Sequence, residues 1–85
     1  MTYAVEIRPA AVKALAALPK ADQRRIARKI DGLAKEPRPS GVETLAGAER
    51  LYRVRSGDDR IVYEVRDEHV LVLVVRIGHR REVYR

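Results

Sequence analysis

The chain has 85 residues, enough for one domain spanning 1–85, with 46% apolar residues, a net charge of +6 and no cysteine. The missing cysteines exclude disulfides, thiolate metal sites and Cys nucleophiles, and they fit a reducing compartment. The run Val70 to Val75 is too short to cross a bilayer, and Met1 to Glu6 lacks the parts of a signal peptide, so the expected location is the cytoplasm, with no membrane partner.

Tyr3 to Arg8 alternates and reads as a strand, with Tyr3, Val5 and Ile7 on one face. Pro9 suits the first turn of a helix whose apolar stripe is Val12, Leu15 and Ala16, and Leu18-Pro19 ends it. A second helix is expected over Lys20 to Lys35, with the stripe Ile26, Ile30, Leu33 and Ala34. The two form an antiparallel helical hairpin. Glu36 to Gly41 contains two prolines and a glycine, so a loop runs on to about Gly47. Leu51 to Ser56 alternates, Gly57-Asp58-Asp59 is a tight-turn signature, and Arg60 to Arg66 alternates again with Ile61, Tyr63 and Val65 inward. After a turn at Asp67-Glu68-His69, Val70 to Ile77 is apolar on both faces, as in a strand covered on both sides. Gly78 is expected to break that run, leaving Arg80 to Arg85 as a short polar tail. The pattern predicts an α+β fold, an N-terminal strand and helical hairpin packed on a mostly antiparallel sheet of about four strands.

Excess positive charge favours an anionic partner. All nine cations after residue 48 are Arg, against seven acids, while all four lysines lie before it. Arginine is the better planar, bidentate ligand for phosphate. Strand parity places Arg53 and Arg55 on one face, about 6.6 Å apart, and Arg60 on the same face across the turn. Arg80, Arg81 and Tyr84 follow closely enough to reach it. His79, between Gly78 and Arg80, is a candidate acid or base, whereas His69 sits in a turn. The glycines are scattered, Ser40 and Ser56 lie in no nucleophile motif, and two histidines ten residues apart make a poor metal site, so neither a metal nor another cofactor is expected.

Leu51-Tyr52-Arg53-Val54-Arg55-Ser56-Gly57-Asp58-Asp59-Arg60-Ile61-Val62-Tyr63-Glu64-Val65, with Val74-Val75-Arg76-Ile77-Gly78-His79-Arg80-Arg81-Glu82-Val83-Tyr84, resembles the RelE/ParE superfamily of bacterial toxins, and most closely its RelE branch. The resemblance implies the toxin of a type II toxin–antitoxin pair, with a small antitoxin as partner. It also implies a ribosome-dependent, metal-independent mRNA endonuclease: the ribose 2′-OH attacks the adjacent phosphate, leaving a 2′,3′-cyclic phosphate and a 5′-OH. The family's two strand lysines fall at Arg53 and Arg55, its strand arginine at Arg60, its second arginine at Arg80 and its C-terminal tyrosine at Tyr84. Arginine in place of lysine is a poor proton acceptor, so base work either falls to Tyr84, His79 or Glu82 or matters little beside in-line alignment; Arg81 is a further auxiliary candidate. The alternatives are a ParE-like inhibitor of DNA gyrase, and a non-catalytic relative that binds RNA or a partner only.

Overall fold

The computed structural model describes residues 2–45 and 50–79, and of His79 the backbone alone. In chain order the elements are β1 (Ala4–Ile7), α1 (Pro9–Ala16), α2 (Lys20–Lys35), β2 (Glu43–Thr44), β3 (Leu51–Ser56), β4 (Asp59–Arg66), a single 3-10 turn (Asp67–His69) and β5 (Leu71–His79). Among the described residues the strands form one five-stranded sheet in the order β1-β5-β4-β3-β2. The α+β class is as expected, with one strand more than the four anticipated. The extra strand is β2, which lies inside the expected loop and is too short to show any alternation. The sheet is mixed, because β1 pairs in parallel with β5 while every other pair is antiparallel. Among the described residues no helix is long and apolar enough to cross a membrane.

Both helices lie on one face of the sheet. Ile26, Ile30 and Leu33 of α2 are buried there against Val54, Ile61, Tyr63, Val65, Val72, Val74 and Ile77. Helix α1 is rotated from its expected stripe: Ala11 is buried, Ala14 and Leu15 pack beside it, and Val12 is 49% exposed. With Leu18 these positions follow the i, i+3, i+4, i+7 helical spacing. The small side chain at Ala11 lets α1 approach β5 closely. Pro9 occupies the first turn as predicted. The Gln23 side-chain amide donates to the carbonyls of Ala16 and Leu18, at 3.2 and 2.7 Å, so α2 satisfies acceptors that the end of α1 leaves open.

The Pro-rich loop is tied to the end of the sheet remote from the β3–β4 turn. Tyr63, fully buried, donates its hydroxyl to the Pro37 carbonyl at 2.6 Å and stacks on Tyr52 with ring centroids 5.8 Å apart. Burial, with Tyr52 nearby, pushes the Tyr63 hydroxyl up to about 12. Arg38 grips Asp67 through two nitrogens, at 2.7 and 3.2 Å, and its Nε donates to the Tyr52 hydroxyl at 3.0 Å. Tyr3 donates to the same carboxylate at 2.7 Å. The Arg38 guanidinium, followed by the Tyr3 hydroxyl, holds Asp67 below the usual carboxylate range. Just beyond, Val70 carries φ +49° and ψ +49°, a left-handed conformation that is costly for a β-branched residue.

Two expected boundaries move. The β3–β4 turn is Gly57-Asp58 alone, since Asp59 pairs with Ser56 inside the sheet. Gly57 has φ +62° while Asp58 stays out of the left-handed region, the pattern of a two-residue turn with glycine first. Gly78 does not break the last strand. β5 continues to His79, and Gly78 lies opposite Arg60.

Candidate functional site

The face of the sheet turned away from the helices carries the arginines. Residues opposite one another across strands share a face, so the register sorts them into rows. One row is Glu43–Arg53–Val62–Arg76; the next, toward the turn, is Arg55–Arg60–Gly78. The expected convergence of Arg53, Arg55 and Arg60 is therefore present. Arg55 and Arg60 are direct partners, one place in from the hydrogen-bonded Ser56–Asp59 pair that closes the turn. That makes them a non-hydrogen-bonded pair, in which facing Cα atoms lie about 4.5 Å apart, the closer of the two sheet spacings. Like charges directly opposite one another in a sheet are unfavourable by about 0.2–1 kcal/mol per pair.

The three arginines sit in different surroundings. Arg55 is exposed and, among the described residues, forms no ion pair. Arg60 is 7% exposed, with its Nη1 donating to the Asp59 carbonyl at 3.3 Å. The Arg53 side chain is 17% exposed, and its Nη2 lies 2.9 Å from Oε2 of Glu43, whose own side chain is 62% exposed. Glu64, in the row beyond, is engaged by Arg66 at 2.7 Å.

Two residues on this face escaped the sequence reading. Glu43 lies in a strand of two residues, which offers no alternation to read. Arg76 owes its position to a bulge: Val62 faces Arg76 while Tyr63 faces Val74, so Val75 is the extra residue between them. Strict alternation from Val72 and Val74 would have driven the Arg76 guanidinium into the core, at a large desolvation cost. The inserted residue instead leaves Arg76 exposed and returns Ile77 to the core at 3% exposure. A cleft of about 350 Å³ lies between the two flanking arginines of that row, lined by Leu45, Leu51, Arg53, Val62, Val75 and Arg76.

The remaining predicted site residues, Arg80, Arg81, Glu82 and Tyr84, lie outside the described residues, as does the side chain of His79. Among the described residues no group of three or more His, Asp or Glu side chains is placed to hold a metal ion.

Comparison with known proteins agrees with this architecture. The family model for the ParE toxin of the type II toxin–antitoxin system parDE matches residues 5–84. A putative RelE-like toxin protein of Escherichia coli is 33% identical over 82 residues, covering 94% of this chain and 85% of that protein. The putative toxin RelE1 of Methanocaldococcus jannaschii is 28% identical, covering 100% and 98%. Among solved structures, the archaeal RelE–RelB complex from Pyrococcus horikoshii superposes with a TM-score of 0.83 at 39% identity, covering 94% of this chain and 97% of that one. The isolated E. coli RelE toxin gives 0.80 at 29% identity, covering 96% and 90%. A match over nearly the whole chain, with RelE-named proteins as relatives in sequence and in structure, means that this chain belongs to the RelE/ParE superfamily of type II toxins and is RelE-like.

Proposed function

We propose that this chain is a ribosome-dependent mRNA endonuclease, held inactive by a small cognate antitoxin and acting in the cytoplasm. The observation that carries the reading is the facing pair Arg55 and Arg60, with Arg53 one row away, on the sheet face opposite the described helices α1 and α2. Two arginines that face each other across neighbouring strands bring positive charge to one place where a phosphodiester could bind. The buried setting of Arg60 suits a fixed charge that meets the negative charge developing on phosphorus. Its RelE-named relatives, several of them solved in complex with an antitoxin, support both the toxin role and the antitoxin partner.

In this reading the 2′-oxygen attacks the adjacent phosphorus, the bond from phosphorus to the 5′ oxygen breaks, and the products are a 2′,3′-cyclic phosphate and a 5′-OH. Arg53 and Arg55 bind the phosphate, and Arg80 stabilises the leaving 5′ oxygen, which takes up a proton from water. The 2′-OH proton needs an acceptor that a guanidinium cannot supply. Glu43 joins Tyr84, His79 and Glu82 as a candidate and is the one we favour, because its carboxylate meets Arg53 on the phosphate-binding face. The chemistry asks for no metal.

Primer extension on cellular mRNA after induction without antitoxin tests the reading. Cuts are expected inside translated regions, with 5′-OH ends, and a 2′-deoxy substitution at the cut nucleotide should abolish them. Cleavage that persists on the 2′-deoxy substrate would sink the mechanism. A second reading, a ParE-like inhibitor of DNA gyrase, is favoured by the description of the matching family model. It predicts a DNA damage response with intact mRNA.

A further inference from the structure

We propose that the cleft between Arg53 and Arg76 is a nucleotide subsite: it takes the base of the RNA nucleotide whose 2′-OH attacks, and Arg76 binds that nucleotide's 5′ phosphate. The inference deepens the nuclease reading and rests on it for the identity of the attacking nucleotide. The floor and walls are aliphatic, from Leu45, Leu51, Val62 and Val75, and a guanidinium stands on each side. At about 350 Å³ the cleft lies within the range of small-ligand pockets, roughly 300–1,000 Å³. A nucleotide has the matching shape and charge, a flat base with an anionic group at one end.

Position selects the same occupant. The Arg53–Val62–Arg76 row is two residues along the strands from the Arg55–Arg60 row, a displacement of about 6.7 Å and comparable to one step along a single strand of RNA. With a scissile phosphate on the Arg55–Arg60 row and the RNA running 5′ toward Arg76, the preceding sugar lies beside Arg53 and Glu43, and its base over Val62. Arg76 forms no ion pair among the described residues and is exposed, so its charge is available to a further phosphate. The aliphatic side chains among the described lining residues discriminate by size and stacking rather than by reading base edges, so the subsite would grade purines against pyrimidines.

The probe is a 5′-phosphorylated adenosine dinucleotide with 2′-deoxyribose at its first sugar, which cannot be cleaved. It is titrated into the full chain carrying methyl-labelled Val and Leu. Saturable shifts are expected at the Leu51, Val62 and Val75 methyls. Arg76→Gln should weaken binding about tenfold, the effect of losing one charged hydrogen-bonding partner, and Arg76→Lys should recover much of it. Removing the 5′ phosphate should weaken the wild type by the same factor and leave Arg76→Gln unchanged. The subsite is overturned if those methyls do not respond, or if Arg76→Gln binds as tightly as the wild type at an unaltered thermal midpoint. It is also overturned if the cleft methyls respond to the antitoxin alone. The nuclease reading fails separately: a protein that binds the dinucleotide in the cleft but leaves mRNA intact on programmed ribosomes keeps the subsite and loses the reaction.

Discussion

Replacing Glu43 by Gln separates two effects that this carboxylate exerts on the arginine face. Its Oε2 sits 2.9 Å from Arg53 Nη2, so it offsets a charge that RNA is proposed to use. A phosphate on the other edge of the Arg53 guanidinium would lie roughly 5.5–6 Å from the carboxylate. At an effective dielectric between about 40 and 80, repulsion over that distance is about 0.7–1.5 kcal/mol. Glu43→Gln should therefore tighten the complex with ribosome-bound mRNA by about threefold to tenfold. If Glu43 also takes the 2′-OH proton, the same variant should lower the cleavage rate by about 10²–10⁴. Single-turnover cleavage on programmed ribosomes, followed across toxin concentrations, yields both quantities. Tighter binding with a collapsed rate is the expected signature. An unchanged rate removes Glu43 as proton acceptor, and unchanged binding refutes the electrostatic reasoning. Glu43 is largely exposed and Gln keeps an oxygen that can accept from Arg53, so the loss of thermal stability should not exceed about 1 kcal/mol.

Arg55→Thr removes one of two facing cations and should raise stability by about 0.2–1 kcal/mol; it should also reduce the slope of log affinity for RNA against log salt by about 0.7, and an unaltered slope would show that Arg55 does not meet phosphate. Tyr63→Phe keeps the buried ring but strips the Pro37 carbonyl of its donor, which should cost about 1–3 kcal/mol and lower Tm by about 4–8 °C for each kcal/mol. Because burial raises the Tyr63 hydroxyl above its unfolded value to about 12, its contribution is full below pH ~10 and is lost as pH climbs toward 12; alkaline denaturation of Tyr63→Phe should lack that component. Asp67 runs the other way: depressed by Arg38 and Tyr3, it contributes above its unfolded value of ~3.9 and loses that contribution as pH falls through the lower folded value, so Asp67→Asn should flatten the acid limb of Tm against pH. Val70→Asn places a residue tolerant of the left-handed region where φ is +49° and should stabilise the fold by about 1 kcal/mol, read as a higher urea midpoint at constant m-value.

Alternation in Leu51 to Ser56 and Arg60 to Arg66 is enough to place Arg53, Arg55 and Arg60 on one face, because a strand's side-chain period of two follows from its covalent geometry. The boundaries of α2 and the turn glycine at Gly57 were legible for equally local reasons, the helical period and the demand for positive φ. Where the local signal was degenerate, the tertiary structure decided. Val70 to Ile77 is apolar at both parities, so nothing in it says which face Arg76 takes. That choice came from pairing with β4, where burying Ile77 and keeping a guanidinium in water required one extra residue at Val75. Helix α1, rich in alanine, suggested the stripe Val12, Leu15 and Ala16, and its rotation toward Ala11 reflects how closely β5 can be approached. Glu43 reached the arginine face through a pairing of two residues with β3, after a loop that Tyr63 and Asp67, far along the chain, hold through Pro37 and Arg38. Local periodicity thus determined which charges share the face, and long-range pairing and desolvation decided what stands beside them: the carboxylate over Arg53, and the cleft that Arg76 closes.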